Sequence, residues 1–317
     1  MQPPILDDTA PGSPPTQAAH AAHAPHAAAE PCPTCAGRAQ PMPADQFIYA
    51  IGRLDVRFPS LGIEREYQQR ERALGALRDE SRVTRLRAVL ERNPHLALRM
   101  GYVFLVGGTP AYAVSPAGGH LRESLFTALS QSEEKDHQCV LIGRAGGFGG
   151  APTYGGLLLT AVTADQLYDF SLDEWGQGLA TTAQSALAAR KIDAARFDAV
   201  ARTMFRELSA APDNLGAADG HRALNYLLVQ HPGLFLAAAE RRDHVLDQVE
   251  TRVTPSASGR RHVLVVLTFL DRTTGVPERL YTAVDVTEEW PFVVGATPSA
   301  SPLGLAPFID MAVTLTA

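Results

Sequence analysis

The feature that most constrains this chain is an abrupt change in side-chain character near residue 46. Residues 1–45 are rich in Ala, Pro and His and contain almost no large apolar side chains. Such a segment cannot bury enough surface to offset the entropy lost on ordering, so we expect a disordered tail. From Phe47 to Phe58, aromatic and aliphatic residues recur close to every second position, and Pro59 follows. That pattern predicts a strand, and the folded part of the chain begins with it.

Composition places the rest of the chain among soluble globular proteins. The residues are 45% hydrophobic and 20% charged, which is ordinary for such proteins. A chain of 317 residues is long enough to form one large domain or two smaller ones. The net charge of -6 argues against a broad nucleic-acid surface, and no apolar run approaches the ~20 residues of a membrane span. The N-terminus has no Lys or Arg before Arg38, unlike a secretory signal. Three cysteines give no disulfide framework. We expect a cytoplasmic, reduced protein that binds neither nucleic acid nor membrane.

The tail contains one candidate metal site. Cys32 and Cys35 form a C-P-T-C pair, and His23 and His26 precede it. Two thiolates and two imidazoles can complete the tetrahedral shell of zinc, and a second chain could supply missing ligands. A single CxxC without a second pair at fixed spacing is a weak signal, and an Ala/His/Pro-rich tract of biased composition also explains these residues. Zinc is therefore the one cofactor that the sequence leaves open, and otherwise we expect none.

Apolar spacing predicts the elements that follow the first strand. The first half is expected to contain a charged helical segment from Ile63 to Arg92, a hairpin of Tyr102–Val106 and Ala111–Val114, a helix Leu121–Leu129, strands Cys139–Ile142 and Leu157–Val162, and an acidic, solvated helical face over Asp165–Trp175. The second half is expected to contain one or two helices within 176–212, helices His221–Gln230 and Leu234–Arg242, and a meander of strands Leu246–Val253, His262–Leu270 and Arg279–Val286.

These elements predict an α+β fold. Two mixed units, each with a small, largely antiparallel sheet covered by helices, are expected after the disordered N-terminal tail. The predicted organisation is a tail at 1–45, a first unit at 46–176, a helical linker at 177–216, a C-terminal unit at 217–296 and a tail at 297–317.

The glycine-rich segment Gly143–Gly150, GRAGGFGG, lies between two predicted strands. Its spacing fits neither the dinucleotide-binding pattern nor the P-loop, and Pro152 and a strand follow where a phosphate site needs a helix. We expect a flexible connection between strands. It could still act as a lid or contact a ligand through Gly146, Gly147 and Gly149.

Five blocks of the sequence carry a family resemblance. They are FIYAIGRLDVRFPSLGIERE from Phe47, NPHLALRMGYVFLV from Asn93, LLLTAVTADQLYDFSLDEW from Leu157, RALNYLLVQHPGLF from Arg222 and YTAVDVTEEWPFVV from Tyr281. In this order and spacing, residues 47–295 resemble the C-terminal domain of unknown function of the PatG/PatA family of cyanobactin maturation proteins.

The resemblance implies a pathway and no reaction. The subtilisin-like part of PatG, which cleaves and macrocyclises a precursor peptide, would need an Asp, a His and a Ser in a G-T-S-M-A context, and this sequence has no such motif. We therefore expect a relative without the protease domain and assign no catalytic residue. The polar residues within the matching blocks are the candidates for binding: Arg53, Arg57, Glu64, Arg222, Asn225 and Asp285.

The leading hypothesis is a non-catalytic accessory or recognition protein in the maturation of a ribosomally synthesised peptide. It would bind a precursor peptide or a maturation enzyme, through a strand added to a sheet edge or a groove between the two halves. Two alternatives stay open. One is an enzyme of unrecognised type acting on a modified peptide, and the other is a zinc-dependent assembly module working through the tail. The sequence also leaves a homodimer open as an assembly state.

Overall fold

The computed structural model of the chain describes six segments: residues 46–75, 80–131, 136–211, 213–255, 259–294 and 305–308. The predicted tail at 1–45, and with it the candidate zinc ligands His23, His26, Cys32 and Cys35, lies outside the described residues.

The described residues form an α+β fold, as the sequence predicts. The elements of the first half are β1 (Phe47–Arg57), α1 (Leu61–Ala73), α2 (Arg82–Arg92), α3 (Pro94–Ala97), β2 (Gly101–Val106), β3 (Thr109–Pro116), α4 (Leu121–Gln131), β4 (His137–Phe148), a 3-10 turn (Ala151–Tyr154) and β5 (Thr160–Ser171). Those of the second half are α5 (Leu172–Arg190), α6 (Ala194–Ser209), α7 (Asp219–Gln230), α8 (Pro232–Glu240), β6 (His244–Pro255), β7 (Arg261–Asp271), β8 (Pro277–Asp285), β9 (Phe292–Val293) and β10 (Ala306–Pro307).

The first sheet closes into a barrel with the strand order β1-β2-β3-β5-β4. All neighbours are antiparallel except β3 and β5, which are parallel. β1 divides its length between two partners, because Phe47–Gly52 pairs with β4 and Arg53–Arg57 pairs with β2. Gly52 permits the change of partner, since a Cβ there would clash with the Leu105 carbonyl oxygen of β2.

The glycine-rich segment is part of a strand, so the predicted flexible connection at Gly143–Gly150 is wrong up to Phe148. β4 continues through it, with Gly143 opposite Ile48 of β1 and opposite Ala164 of β5. A Cβ at Gly143 would clash with the Thr163 carbonyl oxygen, so the glycine allows the backbones to approach closely. The ladder to β5 shifts register after Ile142 and again after Ala145. Such bulges bend a strand around a barrel.

The predicted acidic helical face at Asp165–Trp175 is also wrong in its first part. β5 extends to Ser171, and α5 begins only at Leu172. Alternating burial, seen at Val162 and Ala164, continues past the predicted end of the strand. Ser171 then caps α5, its hydroxyl accepting a hydrogen bond from the Glu174 N–H at 3.1 Å.

The second sheet has the strand order β10-β8-β7-β6, and β9 also pairs with β8. The predicted meander is confirmed, because β6, β7 and β8 pair antiparallel in sequence order. Inside the predicted tail 297–317, Ala306–Pro307 instead forms an edge strand on β8, and the Phe308 ring contacts the Tyr281 ring at 5.9 Å.

One hydrophobic cluster joins the barrel to the second sheet. It contains Tyr49 of β1, Val140 of β4, Trp175 of α5, Phe235 of α8 and Val265 of β7, all buried. A second cluster packs the other side of β1 against α1, α2 and α4. Where the domain boundaries fall between 46 and 296 stays a prediction. None of the described helices is long and apolar enough to cross a membrane.

Candidate functional site

Arg222, one of the predicted binding residues, is buried in α7 with 1% of its surface exposed. Its Nη1 donates to the Val286 carbonyl at 2.6 Å, and its Nη2 donates to the carbonyls of Glu288 and, at 3.3 Å, Glu289. The guanidinium also lies 5.3 Å from the centre of the Phe47 ring. Burial lowers the pKa of Arg222 to about 10, so it stays charged at neutral pH. The side chain therefore fastens the loop after β8 to α7 and β1.

Asn225 is buried one turn further along α7 and satisfies the backbone of β1. Its Nδ2 donates to the Tyr49 carbonyl at 2.9 Å, and its Oδ1 accepts from Asn214 Nδ2 at 2.6 Å. The Tyr49 N–H donates to the Gly216 carbonyl at 2.8 Å. Asn225 and the loop before α7 therefore cover the edge of β1 that faces away from β4.

Asp285 ends β8 as a buried carboxylate. Arg260 Nε donates to its Oδ2, the Thr287 N–H donates to its Oδ1 at 2.9 Å, and His262 Nε2 lies 3.3 Å from its Oδ2. Burial by itself would raise the pKa of Asp285, but the hydrogen bonds from Arg260 and Thr287 lower it to about 2. Asp285 and Arg222 thus hold the two ends of one loop, and both have structural partners.

The other predicted residues lie on separate elements. Arg57 pairs with Asp55 at 2.9 Å, and Glu64 accepts from Gln68 at 3.3 Å on α1. The predicted glycines at the end of β4 and just after it divide into two kinds. Gly146 and Gly147 face open space or a distant backbone atom, whereas a Cβ at Gly149 would clash with the Tyr154 ring and Ala113. Among the residues that the structure describes, the predicted binding residues do not come together in one site.

Arg53, another predicted binding residue, lines a cavity. A cleft of about 400 Å³ lies between the middle of β1, the β2–β3 turn and the C-terminal end of α6. Arg206 and Ser209 of α6 and Gln138 of β4 also line it. The cleft therefore combines two guanidinium groups with an amide and a hydroxyl.

An open strand edge in the described structure belongs to β6, which the sequence predicts as a strand. β6 stands at the end of the second sheet and, within the described segments, pairs with β7 alone. None of its described side chains is buried, and Val253 is 66% exposed. The sequence does indicate that β6 is exposed, because β7 is almost wholly apolar whereas β6 carries polar residues on both faces.

The register identifies which backbone groups of β6 are open. The Val286 N–H donates to the Arg261 carbonyl. The backbone N–H and C=O groups of odd-numbered β7 residues therefore point towards β8, and those of even-numbered β7 residues point towards β6. From residue 248 onwards, even-numbered residues of β6 pair with even-numbered residues of β7. The N–H and C=O groups of Val249, Thr251 and Val253 therefore point away from the sheet.

Pro255 at the end of β6 fits this assignment. It is odd-numbered, so the N–H that proline lacks would fall on the open edge, where no ladder bond is lost. At the other end, the register shifts between Leu246 and Gln248, a bulge that ends the regular ladder. The open edge is thus a regular stretch from Gln248 to Pro255, which we call the β6 edge.

Metal ligands do not cluster in the part of the chain that the structure describes. No group of three or more His, Cys, Asp or Glu side chains there is placed to hold an ion. The predicted zinc ligands precede the described residues, so the zinc hypothesis stays a prediction.

Comparison with known proteins confirms the resemblance. The family model described as PatG C-terminal matches residues 191–299, which include α6 to α8 and most of the second sheet. A solved structure described as "PatG Domain of Unknown Function" is similar with a TM-score of 0.59 and 19% identity, over 80% of this chain and 97% of that one. At that identity the likeness shows the fold. No curated protein matches the chain.

Proposed function

We propose that this chain, a relative of the PatG C-terminal family, is a non-catalytic recognition domain in the maturation of a ribosomally synthesised peptide. It binds an extended segment of the precursor peptide as an additional strand on the β6 edge. The observation that carries this proposal is the outward direction of the backbone groups of Val249, Thr251 and Val253. Unpaired backbone groups in a row form a template for another strand.

The family supports the choice of a peptide as the occupant. The PatG/PatA proteins that the sequence resembles act in cyanobactin maturation, where the substrate is a ribosomal precursor peptide. Strand addition recognises an extended peptide segment through its main chain. In this mode the affinity comes from main-chain hydrogen bonds, so it tolerates varied side chains.

The two faces of the β6 edge provide different surroundings for the side chains of an added strand. On one face, Thr251 packs against Gly220 at the start of α7, where a Cβ would clash with the Thr251 side chain. On the other face, Glu250 and Arg252 form an ion pair at 2.8 Å. Successive side chains of the peptide therefore meet a helix surface and a charged pair in turn.

The test uses the full chain and a cyanobactin-type precursor peptide, as overlapping synthetic segments in a calorimetric titration. Val253→Pro removes an outward N–H and keeps the ladder to β7, whereas Val253→Ala removes the side chain and keeps the N–H. We expect micromolar binding to the wild type, at least about tenfold weaker binding to Val253→Pro, and little change for Val253→Ala.

Two results would contradict the proposal. One is the absence of binding by every segment, and the other is equal binding by Val253→Pro and the wild type. A second copy of the chain is the other occupant that the edge can accept. Sedimentation would reveal it as a dimer that Val253→Pro dissociates, and this result would replace the peptide with a self-association role.

The two remaining hypotheses stay predictions. An enzyme acting on a modified peptide would require reacting groups that converge on a cleft, and a zinc-dependent module would require the tail. Metal analysis of the purified full chain tests the second directly.

A further inference from the structure

We infer that the first half of the fold carries a binding site for a small carboxylate with an apolar body, of the kind a medium-chain fatty acid has. The site is a cavity of about 350 Å³ between the segment that joins α3 to β2, the end of β3, the start of α4 and Tyr154. Pockets that hold small ligands range from about 300 to about 1,000 Å³. The cavity adjoins the barrel, whereas the β6 edge belongs to the second sheet. The two sites are therefore separate.

The floor of the cavity is apolar. The side chains of Met100, Val114 and Leu125 line it and are at most 6% exposed. Tyr102 lines it too, and its hydroxyl already donates a hydrogen bond to the Ala97 carbonyl at 2.9 Å. An apolar ligand body gains free energy when this surface takes it out of water, whereas a polar body would lose its hydrogen bonds to water there.

Tyr154 forms a wall of the cavity that the neighbouring backbone holds in place. One edge of its ring lies against Gly101 and the other against Gly149, where added Cβ atoms would come within 3.2 Å and 2.6 Å of ring carbons. Two glycines therefore make the slot for this ring, which is buried. The cavity is thus formed before a ligand arrives, and a preformed site loses less conformational entropy on binding.

Arg122 supplies a positive charge at the mouth of the cavity. It lies in the first turn of α4, and its guanidinium forms no ion pair or hydrogen bond with any residue that the structure describes. The adjacent Glu123 pairs with Arg87 of α2 instead, at 3.1 Å. A guanidinium presents two parallel N–H groups that match the two oxygens of a carboxylate. Arg122 is therefore available to an anionic ligand.

The charge at the mouth favours a carboxylate over a phosphate. A carboxylate carries a single negative charge at neutral pH, which one guanidinium balances. A phosphate monoester carries about -1.5 to -2 charges, so part of its charge would stay uncompensated beside an apolar cavity.

Leu98 leaves apolar surface open beside this charge. It lines the cavity and is 84% exposed, more than any other large hydrophobic residue that the structure describes. A ligand whose apolar body extends from the floor to the mouth covers this side chain, and the area removed from water contributes to affinity.

The test titrates the full chain calorimetrically with hexanoate, octanoate and octan-1-ol. We expect octanoate to bind about tenfold more tightly than hexanoate, because each buried methylene contributes about fourfold. Octanoate should also bind at least about threefold more tightly than octan-1-ol, since only the acid meets the guanidinium as an anion. Arg122→Gln should abolish the preference for the acid and leave octan-1-ol binding unchanged. Arg272→Gln, a change of an exposed arginine in the β7–β8 turn, is the matched control and should preserve the preference.

Methionine methyl groups report where octanoate binds. Met100 lines the cavity, whereas Met204 of α6 belongs to the cluster that joins the barrel to the second sheet. In a chain isotopically labelled at the methionine methyl carbons, octanoate should shift the NMR resonance of Met100, assigned with Met100→Leu, and leave that of Met204 unchanged.

Leu98→Asp gives a second test at an exposed position, where a change of side chain leaves the fold intact. The added negative charge at the mouth should weaken octanoate binding by at least about tenfold, and the neutral Leu98→Asn should weaken it less. This variant decides the question if Arg122→Gln fails to fold.

Three outcomes would overturn this inference: an unchanged preference for the acid in Arg122→Gln, a shift of the Met204 resonance in place of Met100, or tighter binding of octyl phosphate than of octanoate. Val253→Pro is expected to bind octanoate normally. Failure of the cavity and failure of the β6 edge are therefore distinguishable.

Discussion

The Asn225 side chain donates a hydrogen bond to the backbone carbonyl of Tyr49 at 2.9 Å, across 176 positions of the sequence. Both residues are buried, so neither group can turn to water. The contact joins α7, inside the region that the family model matches, to the first strand of the barrel. The barrel strand and the second half of the fold are therefore expected to depend on each other for stability.

Asn225→Ala tests this dependence. The change leaves the Tyr49 carbonyl and Asn214 Nδ2 without their partner in a buried site, which should lower the free energy of unfolding by about 2–3 kcal/mol. Urea denaturation measures it. Gln69→Ala on the exposed surface of α1 is the control and should change stability by less than about 0.5 kcal/mol. A similar small effect for Asn225→Ala would show that the contact does not support the fold.

Gly143→Ala tests the assignment of the glycine-rich segment to β4. A Cβ at Gly143 meets the Thr163 backbone, so the variant should lose about 1–3 kcal/mol of stability. Gly147→Ala lies four residues away in the same strand with nothing within 4 Å of the added Cβ. It should be neutral or slightly stabilising, because alanine restricts the unfolded chain. Equal stability of both variants would favour the flexible connection instead.

Because His231 is buried, we expect the free energy of unfolding to fall in mild acid. Burial lowers the pKa of this imidazole from 6.5 to about 4, so the unfolded chain binds its proton first as the pH falls. The stability contribution of the neutral side chain is complete above about pH 6.5 and declines as the pH falls towards 4. Chemical denaturation at several pH values should show this slope in the wild type and a smaller slope in His231→Gln.

The control for that measurement is Leu234→Ala, a change of a fully buried residue in α8. It should lower the unfolding free energy at every pH by a similar amount and keep the wild-type slope. If His231→Gln retains the full slope between pH 6.5 and 4, other groups are responsible for it.

Local pattern was sufficient for much of the fold. The strand at Phe47–Arg57 and the hairpin turning at Gly107-Gly108 follow from side-chain alternation and glycine placement. The helix ended by His231-Pro232 and the three-strand meander follow for the same reason. Periodicity and turn chemistry are properties of neighbouring residues, so a sequence displays them directly.

Local sequence patterns do not show which strands pair with one another in the sheets. The closure of the barrel, the continuation of β4 through Gly143 and the length of β5 depend on strands that are distant in sequence. The same holds for the candidate site. Arg222 and Asn225 are polar residues that long-range packing buries as structural contacts, while Arg53 reaches a cleft whose other wall comes from α6.

The sequence by itself determined the α+β class, the elements with strong periodicity and the resemblance to the PatG C-terminal family. Only the tertiary structure decided which backbone groups stay open, because an edge exists where a strand has no second neighbour. The outward groups of Val249, Thr251 and Val253 follow from their register with β7, and that register is set by the packing of the whole sheet.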